Sequence, residues 1–444
     1  MFETLKNALR NKDIRKKLII TLLLLLVFRV GCYIPVPGIM SSAFADSISS
    51  NDFLSLMSSV TGGALESGTL FALGIGPYIN ASIIIQLLTV GIPALERLSK
   101  EGEEGRKKIT NITRVVTIIL AVVQAIGIIV NFAGGFGADV STDGTIKWSL
   151  FYRQQWLAII YMTVIYTGGA MLVMWLGERI TDYGVGNGIS LIIFIGIIST
   201  AGMSIIGKLT EVSGNNLNPL FEVIGFLVLA VIVFFFIVYV DLAERKIHVQ
   251  YAKQVRGTKM YGGQSSVIPM KITGSGVMPL IFAFAILSFP SMIISIFWPG
   301  SRAQTNLANW FSGSSPFWYG RVIYSVVLAV LIFAFAFFYA QIEFNPDDVA
   351  KQIQSNGGFI QGIRPGKPTA AYLRKINKRI TLFGAIFLTL VAFIPSVMFS
   401  WTGSANLVNV FSTTGILIVV SVALELDKQL QSQIMMKNYK GFLK

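Results

Sequence analysis

Apolar runs of about 20 residues recur along the whole chain, separated by shorter polar or basic stretches. A helix needs about 20 apolar residues to cross the hydrocarbon layer of a membrane, so each run predicts one span. The pattern therefore predicts ten transmembrane helices, which follow one another as Leu18–Ile34, Leu70–Val90, Ile112–Phe132, Trp156–Leu176, Ile189–Ile206, Leu220–Val240, Gly276–Trp298, Val322–Gln341, Ile380–Ser400 and Val408–Leu424.

The stretch from Phe53 to Leu95 departs from this pattern. Its first part, residues 53–69, is rich in serine and glycine and is too short and polar to span. The run that follows carries Pro77, Asn80 and Gln86 in its interior. Polar or irregular backbone persists at membrane depth only where protein buries it or where it lines a watery cavity. Two interpretations stay open: a short segment placed over an internal cavity, and a kinked helix buried among its neighbours.

Charge gives the predicted spans an orientation. Only 13% of the 444 residues are charged, whereas soluble proteins average about 25%. Most of the 36 lysine and arginine residues fall in alternate loops on one side, and basic loops stay in the cytoplasm. We therefore expect both termini and the loops 241–273 and 343–379 in the cytoplasm. Segment 53–69 is expected on the outer side.

The predicted spans divide into two sets of five, residues 1–212 and residues 213–444. Because five is odd, the two halves must cross the membrane in opposite orientations, as in an inverted repeat. The predicted fold class is therefore an all-α polytopic membrane protein with ten transmembrane helices in two inverted five-helix halves.

Two cytoplasmic loops are long and basic. In loop 241–273, apolar and polar residues alternate from Ile247 to Tyr251, and Gly262 and Gly263 predict a turn back towards Val267, so we expect a protruding hairpin. In loop 343–379, Asn345 and Pro346 predict the start of a short helix. Glycines and prolines on both sides of Arg364 predict a stiff turn.

Both loops are interpreted as docking surfaces for a partner. A charge cluster that only sets topology is the alternative interpretation. The candidate docking residues are Arg245, Lys246, Lys253, Arg256, Lys259 and Arg364.

The chain lacks the sequence patterns of an enzyme or an ion-coupled transporter. The interiors of spans two to ten carry no ionisable residue, whereas coupled transporters place such residues at membrane depth. Arg29 lies near the end of the first span and is expected to snorkel to the surface. One histidine, His248, and one cysteine, Cys32, cannot build a metal cluster, and no catalytic residue or cofactor is expected. The pattern favours a passive conduit, with a secondary transporter and a lipid scramblase or scaffold as alternatives.

Five motifs carry a resemblance to a known family. They are the run Arg29–Gly38, the segment Gly76–Gln86, the turn Gly184–Ser190, the sequence Gly276–Pro279 and the sequence Gly362–Gly366. In these motifs and their order the chain resembles the SecY family, the channel subunits of bacterial protein translocases. Gln361 stands where the family commonly has proline, a departure that loosens the Arg364 turn.

The resemblance implies an hourglass of two halves around a central pore. Residues 53–69 correspond to the plug that closes the outer funnel. A ring of aliphatic side chains forms the constriction, at Ile75, Ile79, Ile193, Ile281 and Ile418, with Ile189 or Ile197 as its sixth member. Taken singly, each isoleucine is also compatible with ordinary helix packing or lipid contact.

The resemblance also implies a lateral gate between spans two and three on one side and spans seven and eight on the other. Its residues correspond to Asn80, Gln86, Gln124 and Phe289, for which plain interhelical contact is the alternative. The implied function is a protein-conducting channel in the bacterial cytoplasmic membrane. The implied partners are SecE- and SecG-like subunits, the SecA motor ATPase, the ribosome, secretory and membrane protein clients, a YidC-like insertase and membrane lipids.

Overall fold

Helices make up most of the fold. A computed structural model describes residues 2–37, 58, 61–132, 155–210, 218–251, 254–256, 259–261, 265–272, 278–297, 301–302, 306–307, 310, 317–402 and 413–441. The described helices are α1 (Phe2–Arg10), α2 (Lys12–Gly31), α3 (Gly76–Gly91), α4 (Pro93–Lys100), α5 (Glu103–Phe132), α6 (Gln155–Tyr183), α7 (Gly188–Thr210), α8 (Asn218–Asp241), α9 (Met278–Phe297), α10 (Trp318–Glu343), α11 (Pro346–Ser355), α12 (Lys367–Thr402) and α13 (Thr413–Gly441).

Each predicted apolar run overlaps one of these helices, namely α2, α3, α5 to α10, α12 and α13. Within the described residues, six helices are long and apolar enough to cross a membrane: α5, α6, α7, α8, α10 and α12. Helices α3 and α4 form a bent pair, with an angle of 101° between them, that adds a seventh if it is counted as one span. The all-α polytopic fold is therefore confirmed, whereas the count of ten spans stays a prediction.

The second span begins later than the apolar run predicts. Residues 70–75 form buried turns, and α3 begins only at Gly76, with Pro77 in its first turn. Gly74 has a φ of +51°, a left-handed conformation that interrupts a helix. Helix α6 packs closely on these turns, because a side chain at Gly169 would collide with the carbonyl of Leu70. The apolar residues 70–73 therefore serve packing within the protein rather than a spanning helix.

The two long loops that the sequence predicts to be cytoplasmic fold into one unit, which we call the sheet unit. Strand β1 (Glu244–Tyr251) pairs antiparallel with β4 (Ser265–Lys271), which confirms the predicted pairing, whereas Gly262 and Gly263 of the predicted turn lie outside the described residues. Strand β1 also pairs with β5 (Gly358–Ile360) of the second loop, so the sheet order is β4-β1-β5. Between β1 and β4, strands β2 (Gln254–Arg256) and β3 (Lys259–Tyr261) form a separate two-stranded pair. One apolar cluster joins the loops through Ile247, Val249, Met270, Ile353, Ile360, Leu373 and Ile376.

The predicted helix in loop 343–379 is confirmed as α11. The side chain of Asn345 accepts a hydrogen bond from the backbone N–H of Asp347 at 3.2 Å, and Pro346 occupies the first turn. After Asn356 ends the helix, Gly357 takes a φ of +69° and leads directly into β5. The cap and the glycine thus set the short distance between α11 and the sheet.

Two apolar clusters form the interior of the membrane region. One is built mainly from α8, α9, α10 and α12, and the other from α2, α3, α6 and α7. Helix α13 contributes to both, with Ile416 and Val420 in the first and Ile418 and Val422 in the second. The two halves of the chain therefore share their cores along α13.

Candidate functional site

The predicted constriction residues meet in one apolar cluster, which we call the constriction cluster. Ile75, Ile193 and Ile418 are buried in it, and the half-buried Ile79 and Ile281 pack against it. They come from α3, or the turn just before it, and from α7, α9 and α13. The side chains of these isoleucines carry neither charge nor hydrogen-bonding groups.

Both candidates for the sixth member belong to the same cluster. Ile197 is buried, and the half-buried Ile189 packs against the cluster two helical turns earlier on α7. Ile79 and Ile281 also pack against the cluster of the other half, so they lie where the two halves meet. The choice between Ile189 and Ile197, and the closed ring itself, stay predictions.

The described part of the plug lies against the constriction cluster. Ala64 is fully buried within that cluster, together with Ile75 and Ile193. Its neighbour Leu65 is buried in an adjoining cluster that includes Leu73 and Tyr166. Residues 53–57, 59 and 60 of the predicted plug lie outside the described residues.

Residues 62–68 fold as a series of turns. Gly62, Gly63 and Gly68 all have positive φ values. The hydroxyl of Thr69 donates a 3.0 Å hydrogen bond to the carbonyl of Ala64, and that of Ser58 donates one of 2.9 Å to Glu66. Glycines and short polar side chains therefore let this segment satisfy its own backbone while lying inside the protein.

The Arg29–Gly38 motif anchors the base of this segment. Beyond the end of α2, the backbone N–H of Val36 donates to the carbonyl of Gly68 at 3.2 Å, and Pro35 pairs with Thr69. The backbone N–H of Leu70 donates in turn to the carbonyl of Ile34 at 2.9 Å. Helix α2 ends at Gly31, and the residues around Pro35 then pair with the end of the plug segment at residues 68–70.

Arg29 does not snorkel, which corrects the expectation from the sequence. Its Nη1 atom donates a 2.9 Å hydrogen bond to the carbonyl oxygen of Gly62 in the plug. Its Nη2 atom donates to the hydroxyl of Tyr33 at 2.8 Å, and the guanidinium lies 4.7 Å from the centre of that ring. The partner was hidden from sequence reasoning because Gly62 lies 33 residues further along the chain.

A hydrogen bond joins the two halves at the predicted gate. The hydroxyl of Tyr339 on α10 donates to Oε1 of Gln86 on α3 at 2.6 Å. The ring of Tyr339 also contacts Phe282 of α9, with 4.7 Å between ring centres. Sequence reasoning identified Gln86 but missed Tyr339, whose only signal was a phenolic hydroxyl inside an apolar run.

The other gate residues are placed on the expected helices, but their contacts across the gate stay predictions. Gln124 on α5 is buried, and neither of its amide atoms has a hydrogen-bond partner among the described residues. Asn80 is half-buried on α3. Phe289 lies on α9 next to Pro290, and its side chain is outside the described part of the structure.

The predicted docking residues are distributed over the sheet unit that the two long loops form. Arg245 and Lys246 are exposed on β1, and Lys246 lies 3.6 Å from the carboxylate of Glu244. Arg256 and Lys259 stand opposite each other in the β2–β3 pair, and Lys253 lies outside the described residues.

Arg364 is exposed in the turn that the sequence predicts. Gly362 and Gly366, on either side of it, have φ values of +81° and +93°. The hydroxyl of Thr369 donates to the carbonyl of Arg364 at 2.8 Å, which fixes the turn against the start of α12. Because β5 pairs with β1, Arg364 and the β1 cations belong to one folded unit.

The Gly184–Ser190 motif forms a tight turn on the same side as both ends of the chain. Gly186 has a φ of +90°, and Oδ1 of Asn187 accepts a hydrogen bond from the N–H of Ile189 at 3.1 Å. Ala8 of α1, Val185 of the turn and Leu430 of α13 are buried together in one small cluster. The turn therefore connects the start of α7 to helices at both ends of the chain.

An ion pair that sequence reasoning missed joins α5 and α6. The guanidinium of Arg114 donates two hydrogen bonds of 2.8 Å to the two carboxylate oxygens of Glu178. Such a bidentate pair fixes orientation as well as distance. It therefore holds α5, which carries the gate residue Gln124, in a set position against α6.

The surroundings of one lysine next to the sheet unit lower its pKa. Partial burial lowers the pKa of Lys428 on α13, and the neighbouring Lys271 of β4 lowers that pKa further.

Among the described residues, no group of three or more histidine, cysteine, aspartate or glutamate residues could hold a metal ion.

Comparison with known proteins identifies this arrangement. The SecY family model matches residues 69–426 of the chain. Relatives named protein translocase subunit SecY include one from Streptomyces griseus, 40% identical, and one from Mycobacterium bovis, 39% identical, each over the full length of both chains. The structure of a protein conducting channel matches with a TM-score of 0.64 at 19% identity, covering 94% of this chain and 92% of that one.

A second solved structure gives the same result. Sec61 in a canine ribosome–channel complex matches with a TM-score of 0.61 at 18% identity, again covering 94% of this chain and 92% of that one. The fold is therefore the multi-pass helical fold of these two structures. The chain belongs to the SecY family of protein translocase subunits.

Proposed function

We propose that this chain forms the channel through which unfolded secretory polypeptides cross the bacterial cytoplasmic membrane, and from which apolar segments pass sideways into lipid. One observation carries the proposal. Isoleucines from α3, α7, α9 and α13 meet in the constriction cluster, and Ala64 of the plug is buried in the same cluster. Membership of the SecY family supports this function.

The constriction acts as a compliant seal. A narrow apolar passage excludes water and ions by dewetting, and aliphatic side chains can pack around a polypeptide of any sequence. Ile79 and Ile281 contact the apolar clusters of both halves, so a small separation of the halves widens the passage at these residues first. Plug residues 61–69 close the outer side and must leave before a chain can pass.

The lateral gate opens between α3 and α5 on one side and α9 and α10 on the other. The two halves, residues 1–212 and 213–444, separate along this line, and the Tyr339–Gln86 hydrogen bond crosses it. Side-chain hydrogen bonds within membranes contribute only about 1 kcal/mol. A hydrophobic signal sequence therefore gains enough by entering lipid to displace such a bond.

Partners dock on the cytoplasmic sheet unit. Its exposed cations, Arg245, Lys246 and Arg364, suit the phosphates of ribosomal RNA and the acidic surface of a SecA motor ATPase. The Sec61 relative described above is itself seen in a ribosome–channel complex. SecE- and SecG-like subunits, a YidC-like insertase and membrane lipids complete the proposed assembly, and the chain itself supplies a passage rather than catalysis.

Both ends of the chain are placed in the cytoplasm. Helices α1 and α13 share a buried cluster with the turn at Val185, so the two ends lie on the same face of the protein. The basic loops belong on the cytoplasmic side by the positive-inside rule. This topology puts the docking unit where a motor or a ribosome can reach it.

A disulfide trap in reconstituted vesicles tests the function directly. A cysteine replaces Ile281, and Cys32→Ser removes the native thiol while keeping a small polar donor near the carbonyl of Thr61. The second cysteine is placed in a secretory polypeptide that is stalled during transport. We expect a cross-link that requires both ATP and the motor.

A control cysteine outside the constriction cluster distinguishes contact in the passage from contact at the protein surface. Val326 on α10 is 57% exposed and outside the constriction cluster, so a cysteine there is not expected to cross-link. Good export without any cross-link at Ile281 would contradict the assigned constriction. Failure of both export and cross-linking, with all partners supplied, would contradict the channel function itself.

A further inference from the structure

The plug is held by a charged side chain of the first span. Arg29 is half-buried on α2, and its guanidinium donates through Nη1 to the carbonyl of Gly62 at 2.9 Å. Through Nη2 it donates to the hydroxyl of Tyr33 at 2.8 Å. Tyr33 lies one helical turn further along and also stacks on the cation, so the guanidinium is oriented by the end of α2 itself.

Gly62 occupies a narrow slot between this cation and helix α7. A Cβ atom added to Gly62 would lie 2.6 Å from Nη1 of Arg29 and 3.2 Å from Cα of Gly196. Gly62 also has a φ of +73°, which side-chain-bearing residues rarely adopt. The plug backbone therefore reaches Arg29 in this position because Gly62 lacks a side chain.

Both partners of the Arg29–Gly62 hydrogen bond favour the closed position of the plug. A carbonyl that leaves water needs a donor, and an ionised donor makes a stronger hydrogen bond than a neutral one. If the plug leaves, Arg29 loses the partner of one of its two bonded donors, whereas Tyr33 stays beside it on the same segment. The guanidinium is thus already oriented for the carbonyl when the plug returns.

We propose that Arg29 is the residue that latches the plug in its closed position, by donating to the carbonyl of Gly62 in the slot opposite Gly196. The inference rests on the proposed function, since a latch has meaning only in a channel that the plug seals. Arg29 is thus a positioning residue for the plug. Removing its charge should change how often the plug opens.

The test is the ion conductance of the full chain, reconstituted with its partner subunits in planar bilayers without substrate. Arg29→Gln should raise resting conductance by about tenfold, since it removes a charge-assisted hydrogen bond to the plug. The resting conductance of Arg29→Lys should fall between those of the unmodified protein and Arg29→Gln. An ammonium keeps the charge but lacks the planar guanidinium that donates to Gly62 and Tyr33 together. Gly62→Ala should also raise conductance, because its Cβ would displace the carbonyl from Arg29.

A background without the plug separates a latch from a general structural role. Deleting residues 53–67 leaves Gly68 and Thr69, which bond to the strand after α2. In this background Arg29→Gln should add nothing to the conductance, because the carbonyl that it held is gone. An equal rise with and without the plug would overturn the latch, since Arg29 would then act on α2 itself.

Arg179 offers a matched control for the loss of an arginine. It also stacks on a tyrosine four residues further along the chain, with 5.6 Å to the ring centre of Tyr183, but it lies on the cytoplasmic part of α6. Arg179→Gln should leave resting conductance unchanged. If the plug deletion raises the resting conductance but Arg29→Gln leaves it unchanged, only the latch is overturned. A plug deletion that does not leak would overturn the sealing role of the plug as well.

Discussion

At the scale of single residues, Tyr339 shows how a gate can be both closed and easily opened. Its ring contacts Phe282 on α9, and its hydroxyl donates a hydrogen bond to Gln86 on α3. In the proposed gate, we expect opening to break the hydrogen bond while the ring keeps its apolar contact with Phe282. The threshold for opening can therefore be changed by a single oxygen atom without loss of packing.

Tyr339→Phe should make the gate more permissive. It removes a bond worth about 1 kcal/mol in a membrane, which corresponds to about a fivefold shift towards the open gate. We expect about fivefold more export of a reporter with a weakened signal sequence, and unchanged export of a reporter with a strong one. Export is measured as the fraction of reporter protected inside inverted membrane vesicles.

Gln86→Leu provides the control for this bond. Because both substitutions remove the same contact, their effects on the weak reporter should not add in the double variant. Full additivity would show that the hydroxyl and the amide act through different contacts, and would contradict a clasp between them.

At the scale of elements, the sequence predicted where helices lie better than where they begin. Long apolar runs found ten helices because burial in lipid and burial in protein both select apolar residues. The same ambiguity misplaced the start of the second span, since Leu70 and Phe71 are as apolar as a spanning helix. There the turns are set by Gly74 with its positive φ and by contact with α6, and the second of these cannot be derived from local sequence.

The cytoplasmic loops show the same limit. Alternation predicted the β1–β4 hairpin, and Asn345-Pro346 predicted α11, because both signals are local. The pairing of β1 with β5 joins residues more than 100 positions apart, as in the register of Val249 with Ile360. No sequence pattern in either loop indicated that the two predicted docking surfaces are one folded unit.

Ile360→Ala should loosen both loops together. Ile360 is buried between the sheet and α12, and removing a buried isoleucine side chain typically costs about 2–5 kcal/mol. Limited proteolysis of the purified protein should then cleave loop 241–273 as well as loop 343–379 faster than in the unmodified protein.

Phe359→Ala is the matched control, because Phe359 is the preceding residue on β5 and its side chain is 36% exposed. It should change the cleavage rates little. Faster cleavage confined to loop 343–379 in the Ile360→Ala variant would contradict a single cooperative unit.

At the scale of the whole molecule, the parts that seal and the parts that receive partners are built differently. The constriction cluster is apolar, and its members Ile79 and Ile281 lie where the two halves meet. The proposed docking unit is a small antiparallel sheet with its own apolar cluster, attached to α8, α9, α10 and α12 by the loops that enter and leave it. Under the proposed function, we expect force applied to this unit to reach helices on one side of the gate.

Arg364→Glu tests this division of roles. The side chain is exposed in a turn fixed by Gly362, Gly366 and the Thr369 hydroxyl, so reversing its charge should change docking without changing the fold. We expect ATP-driven export by the motor to be lost, while the amount of channel in the membrane and its resting conductance stay the same. Lys367→Glu makes the same charge change three residues away, at the exposed start of α12, and should retain most export. Normal motor-driven export by the Arg364→Glu variant would show that this turn is not the contact through which the motor acts on the channel.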